Sequence, residues 1–429
     1  MRPRALSSLQ PFKRLISTSS NIENNEVIFD VKGKVGLITL NRPKVLNVLT
    51  LSMFQQIFDH LTEWENKLKV VIIEGSGEKA FCAGGDVKSL VDAKGLPDQC
   101  EVFKTEYKLN HLIGTYKIPY VAFIDGITMG GGVGLSLHGK YRVSTTRTVF
   151  SMPEAKIGLV PDVGASFFLP RMKGQLGTYL GLTGQTLKGN DCFHAGISNY
   201  VTNDIEAVKN DLLSAKNSGH EDVKKILRQH HLDITKDKFS LDKHMPLINE
   251  YLKGNCLYTI MDRLTNSKHE FCKDTLKLMS QMSPVSLMVT LKMLRMGRHL
   301  DLSDCLKLEY RIIKRCMESP NFYEGVRALL IDKENNPKWN PSSIYDVDSV
   351  MVDKYVSMLA HNEEISFYYN THDVNTISKD DEDTASKDCE DTSCKASEDT
   401  SSKMNEDTSS KVDENTSSKA NEDSSSKLS

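Results

Sequence analysis

Hydrophobic and polar positions alternate in several distinct ways along this chain. The run EVIFDVKGKVGLITLN reads as two strands joined at Lys32-Gly33. In TLSMFQQIFDHLTEWE, the residues Met53, Phe54, Ile57, Phe58, Leu61 and Trp64 recur every three or four positions. That spacing predicts a helix with one face in the core, capped by Thr50. KVVIIEG is an unbroken apolar run rich in β-branched residues, as a buried strand requires. A helix over 100–116 and a strand at PYVAFID follow. Twice a strand runs into a glycine-bearing turn and then a helix. The first case is GSGEKAFCAGGDV, where Asp86 can cap the next helix. The second is GITMGGGVGLS, where VGLSLHG supplies a short helix. The pattern predicts α/β layering with ligand-binding turns at strand ends.

Beyond Gly164 the texture changes. LKGNDCFHAGISNYVTN reads as a helix followed by a short strand. The segments SPVSLMVTLKMLRM, DCLKLEYRIIKRCME and VDSVMVDKYVSML carry apolar residues at helical intervals. An α/β core over 26–225 and a helical region over 226–373 are therefore expected. From residue 374 the chain is acidic and built on a recurring S-K-x-x-E/D-D-T-S pattern, with Lys379, Lys387, Lys395 and their successors eight apart. Eight is neither a helical nor a strand period, and there is almost nothing apolar to stack. Residues 374–429 are expected to be a disordered appendage.

Charge refines this division. Residues 1–22 carry Arg2, Arg4, Lys13 and Arg14 with no acid, in a Ser-rich stretch without the apolar centre of a secretory signal. That composition predicts a transit peptide, mitochondrial rather than plastid given the function argued below. The tail carries seven Lys against fifteen Asp plus Glu, so the net charge of −3 leaves the body near neutral. Bulk charge gives no reason to expect a nucleic-acid partner. No run is long and apolar enough to span a bilayer. The nine cysteines include no CxxC pair, which points to free thiols rather than a zinc site or a disulfide framework. The chain lacks GxSxG and HExxH, so neither a serine-triad nor a metal hydrolase is supported.

The chemistry concentrates between Gly126 and Gly164. Gly130, Gly131, Gly132 and Gly134 let a backbone approach a ligand with its N–H groups outward. At the start of a short helix those groups sit at its positive end, which suits a developing oxyanion. Glu154 and Asp162 follow among Pro153, Gly158, Pro161 and Gly164, a segment expected to form turns rather than one helix. Oxyanion donors beside carboxylates suggest acyl or enolate chemistry.

The AFCAGGD turn, the GITMGGGVGLS loop, MPE followed by IGLVPDVG, and FYEGVRALLIDK-x-x-x-PKW together resemble the crotonase superfamily over residues 27–345. The glycine motifs are shared across that superfamily. The Glu154-to-Asp162 and EGVRALLIDK segments resemble its mitochondrial branch that hydrolyses 3-hydroxyisobutyryl-CoA in valine breakdown. The resemblance implies a spiral of repeated β-β-α units with a C-terminal helical region. It implies an oxyanion hole from the amides of Gly85 and Gly131, with Glu154 as general base or nucleophile. Asp162 would accept a hydrogen bond from a substrate hydroxyl or orient water, and Glu106 would line the acyl pocket. Gly134 stands where similar hydratases carry a second catalytic Glu; hydration needs paired carboxylates, so hydrolysis is favoured.

The same resemblance implies no metal or redox cofactor, since CoA arrives with the substrate. It implies a matrix location and a homo-oligomer, unless the helical region covers the interface used by related trimers and hexamers. Lys44, Arg327 and Lys333 are basic residues that could meet CoA phosphates. Two other readings stay open: an enoyl-CoA hydratase or isomerase, and a non-catalytic subunit of an assembly such as the mitochondrial ribosome. For each site residue the plainer alternative is a turn glycine or a solvated, capping or exposed helical acid.

Overall fold

The computed structural model describes residues 25–96, 99–215, 219–234 and 236–367. The basic leader and the acidic repeat tail lie outside them. The expected hairpin is β1 (Val27–Lys32) and β2 (Val35–Leu40), antiparallel, with Val27 opposite Leu40. Gly33 turns it with φ +63°. Strands β3 (Val70–Gly75), β5 (Tyr120–Ile124), β7 (Tyr141–Ser144) and β10 (Tyr200–Val201) extend the sheet in the order β1-β2-β3-β5-β7-β10, parallel from β2 onward.

This sheet is buried on both faces, which is why KVVIIEG shows no alternation. Val71 and Ile73 join the main core, with Leu61 of helix α1 (Leu51–Trp64). Val70 and Ile72 pack instead with Val208 and Leu212 of helix Ile205–Ser214, and with Val223 and Leu227 of helix His220–Gln229. The boundary expected at 225/226 falls inside that last helix. Its apolar residues belong to the sheet, so the helical region begins after it. Thr50 caps α1 as expected, its side chain accepting from the Met53 amide.

A second, smaller sheet escaped the sequence reading because its strands are very short. It runs β4 (Ala80–Cys82), β6 (Ile127–Met129), β8 (Val149–Ser151) and β9 (Leu187–Lys188), in that order. The first three are mutually parallel. A unit thereby repeats: one strand in the large sheet, one in the small sheet, then a helix. β3 and β4 lead to α2 (Val87–Asp92), and β5 and β6 lead to α4 (Gly131–Leu137). β7 and β8 lead to a 3-10 turn, Glu154–Ile157. Between the first two units lies α3 (Glu101–Gly114).

The C-terminal helices pack on this frame through helix Pro284–Gly297, which is buried along most of its length. Helix Leu302–Glu318 buries Cys305, Leu306, Ile312 and Ile313 on one stripe, and Glu309 lies in the same stripe. Helix Pro320–Val326 runs into a π-helical turn, Arg327–Ile331. Among the described residues no helix is long and apolar enough to cross a membrane.

Candidate active site

Parallel strands of one sheet end side by side, about 4.8 Å apart. β4, β6 and β8 are three such neighbours, and each is followed within a few residues by one site residue. Gly85 follows β4, Gly131 follows β6 and Glu154 follows β8. The repeat thus delivers three candidate site positions to one edge, where ligands of parallel sheets commonly bind. A cavity of about 440 Å³ opens there, lined by Gly84, Gly85, Gly130, Gly131, Glu106, Glu154 and Asp162, among others. Its apolar wall includes Leu49, Leu90, Phe103, Leu329 and Leu330. All five residues singled out from the sequence meet in this one space.

The two glycines differ in what constrains them. A Cβ on Gly131 would lie 2.6 Å from Glu106 Oε1 and 3.5 Å from the Gly85 nitrogen, so the two amides are neighbours. A Cβ on Gly85 would meet nothing within 4 Å, because it would project into the cavity. Among the described residues neither amide N–H donates to a protein acceptor. Both are therefore available to an oxygen in the cavity. The preceding turn is held by Leu49, whose N–H donates to Gly84 O at 2.9 Å and whose carbonyl accepts from the Asp86 N–H at 3.0 Å. Asp86 caps α2 as expected, accepting from the Ser89 N–H.

Three carboxyl groups line the same cavity. Glu154 is 7 % exposed, and its Oε2 is buried with no hydrogen-bond partner. Burial holds this carboxyl well above the usual range, and Asp162 adds to the effect. Glu106, on α3, also has a buried oxygen without a partner, and burial again raises it strongly, followed by the charges of Asp162 and Glu154. Asp162 is better provided for: the Tyr107 hydroxyl donates to its Oδ2 at 2.7 Å. Burial still pushes Asp162 up to about 6, against the pull of that hydrogen bond.

The turn bearing Asp162 is tied from elements the sequence reading did not connect to it. His138 places Nε2 2.7 Å from Val163 O. Its burial holds it down to about 4, so the ring is neutral and donates. Glu309 accepts from the Gly164 N–H at 2.6 Å, from the Ser166 N–H at 2.8 Å and from Ser166 Oγ at 2.6 Å. An acid inside the apolar stripe of DCLKLEYRIIKRCME was the available signal. Glu106, Tyr107 and Asn110 stand out in the same way on α3, all buried among Phe103 and Ile113.

The basic residues depart from expectation. Arg327 pairs with Glu324 at 2.8 Å, Asp332 at 2.5 Å and Glu334 at 2.7 Å, so its guanidinium is already satisfied by carboxylates. Lys44 and Lys333 lie outside the cavity lining, whereas Lys156 is part of it.

The comparisons with known proteins agree with this geometry. The enoyl-CoA hydratase/isomerase family model matches residues 35–356. The chicken (Gallus gallus) protein named 3-hydroxyisobutyryl-CoA hydrolase, mitochondrial, is 42% identical over 379 residues, covering 85% of this chain and 98% of its own. The human (Homo sapiens) protein of the same name is 40% identical over 376 residues, covering 84% and 97%. A solved carnitinyl-CoA dehydratase from Mycobacterium thermoresistibile superposes with TM-score 0.74 at 33% identity, covering 80% of this chain and 99% of that one. These matches show the family: the chain belongs to the enoyl-CoA hydratase/isomerase, or crotonase, family, among the 3-hydroxyisobutyryl-CoA hydrolases.

Proposed function

We propose that the chain hydrolyses 3-hydroxyisobutyryl-CoA to CoA and 3-hydroxyisobutyrate, a step of valine breakdown, in the mitochondrial matrix. The observation that carries the reading is the pair of unengaged amides, Gly85 and Gly131, beside a buried carboxyl without a partner, Glu154. The thioester oxygen accepts both N–H groups, so charge developing on it is met by donors already fixed in place. Glu154 takes a proton from water as the water oxygen bonds to the acyl carbon. The C–S bond then breaks, and the proton passes to the departing CoA sulfur. In the alternative route Glu154 bonds to the acyl carbon itself, and water cleaves the resulting anhydride. Single turnover in H₂¹⁸O separates the two, since only the anhydride route can leave label in the Glu154 carboxyl.

Asp162 receives the substrate hydroxyl on the carboxylate that Tyr107 orients, and Glu106 borders the acyl group. The route uses no metal or redox cofactor. The names of the relatives and the basic, acid-free leader support the mitochondrial assignment. Retention of both acids and both glycines speaks against a purely structural subunit.

Hydration of an enoyl-CoA is the second reading, since the solved neighbours include an enoyl-CoA hydratase and a carnitinyl-CoA dehydratase. The packing at Gly134 argues against it. A Cβ there would lie 2.7 Å from Asn110 Nδ2 and 3.0 Å from Val163 Cβ, so this position has no room for a second acid. The test is free-thiol release across hydroxylated and unhydroxylated acyl-CoAs, set against loss of enoyl absorbance. Thiol release with a preference for the hydroxylated ester is expected; double-bond chemistry alone would refute the proposal.

A further inference from the structure

The turn that carries Asp162 is strained. Val163 has φ +52° and Gly164 φ +87°. A β-branched residue in that region is costly and persists only where its surroundings hold it. Three contacts do so from three elements. Tyr107 on α3 holds the Asp162 carboxylate, and His138 at the end of α4 holds the Val163 carbonyl. Glu309 holds the next amide, and its other oxygen fixes Ser166 two residues on. Glu309 is 0 % exposed, and its three donors come from this one turn and the short helix after it. It reaches the turn across 145 residues of sequence, from the helical region rather than the α/β layers.

We propose that Glu309 is a positioning residue for thioester hydrolysis: it clamps the strained Val163–Gly164 turn and so aims the Asp162 carboxylate into the cavity. The helical region is then part of the catalytic apparatus and not only a cover for the core. This rests on the reading of Asp162 given above. The geometry is demanding, because both Glu309 oxygens face backbone N–H donors. A side chain offering N–H at either position sets donor against donor and releases the turn.

The experiment is a mutant cycle on the full chain with 3-hydroxyisobutyryl-CoA. Glu309→Gln is expected to lower kcat by about 10- to 100-fold, the cost of a small misplacement of a reacting group, with little change in KM. In an Asp162→Asn background the same substitution is expected to cost nothing further in kcat, because the group it aims is already disabled. Losses that multiply, or an unchanged kcat in Glu309→Gln, overturn the inference. An Asp162→Asn enzyme of normal activity overturns instead the reading of Asp162, and this inference with it. Should Glu309→Gln fail to fold, Ser166→Ala removes one donor and leaves the backbone bonds. Run through the same cycle, it is expected to show a smaller kcat loss that vanishes when Asp162 is Asn; a loss that persists there overturns the inference.

Discussion

The Tyr107 hydroxyl donates to Asp162 Oδ2 at 2.7 Å, joining α3 to the Asp162 turn across 55 residues of sequence, with both side chains buried. Because that bond favours the ionised carboxylate, it opposes the burial that holds Asp162 near 6. Tyr107→Phe removes the donor and leaves the packing. The Asp162 carboxyl then rises further, and the acidic limb of the kcat/KM profile moves to higher pH. Activity at pH 7 falls, with recovery toward pH 8.5. A limb that stays in place would show that this carboxylate does not govern the rate.

Glu154→Gln is expected to reduce kcat by roughly a thousandfold or more, since one group both activates water and returns the proton. Binding of CoA itself, followed by calorimetry, should persist. Near-normal turnover would remove Glu154 from the mechanism.

The buried Asp162 carboxyl also predicts how stability varies with pH. Asp162 is held at about 6, above its ordinary value of 3.8. A carboxyl raised on folding binds its proton more tightly in the native state. The stability it contributes is therefore fully present below about pH 4 and is lost as pH rises through the folded value. It should appear as a falling Tm from about pH 4 to pH 6, which Asp162→Asn should flatten. Equal slopes in wild type and variant would contradict this account.

Glu106 lies where ionisation is opposed by burial, and by the neighbouring carboxyls of Asp162, Glu154 and Glu309, all of which favour its neutral form. Glu106→Gln keeps a neutral hydrogen-bonding group of the same shape and is expected to retain most activity, within about tenfold. Glu106→Ala should lose far more. If Gln and Ala were equally damaging, a charged Glu106 would be required.

Gly85 and Gly131 should respond differently to alanine. At Gly85 the new methyl enters the cavity without meeting protein, so Tm should hold while kcat/KM collapses. At Gly131 it meets Glu106 Oε1 and Leu49, so stability should fall as well, by roughly 1–3 kcal/mol. Denaturation and steady-state kinetics on the two variants distinguish these outcomes.

Much of the fold could be read because local signals agreed with the tertiary outcome. α1 has both a clear apolar stripe and a cap, and β3 is a continuous run because helices cover both faces of its sheet. The strands β4, β6, β8 and β9 could not be read, since two or three residues carry no period. The glycine turns and Glu154 were legible because close backbone approach restricts residue choice. Glu309, Tyr107 and His138 act through partners far along the chain, and no local spacing encodes that. What did mark them was an ionisable or polar side chain within an otherwise apolar helical face.

The span from Gly164 to Glu309 also sets an order of events. Gly85, Gly131, Glu154 and Asp162 have all left the ribosome long before the residue that grips the Asp162 turn. On the proposal made here, a nascent or half-imported chain holds the acids without their aim. Full catalytic competence then arrives late, with the docking of helix Leu302–Glu318, and a chain cut short before that helix would lack the grip that aims Asp162 even if its first sheets formed.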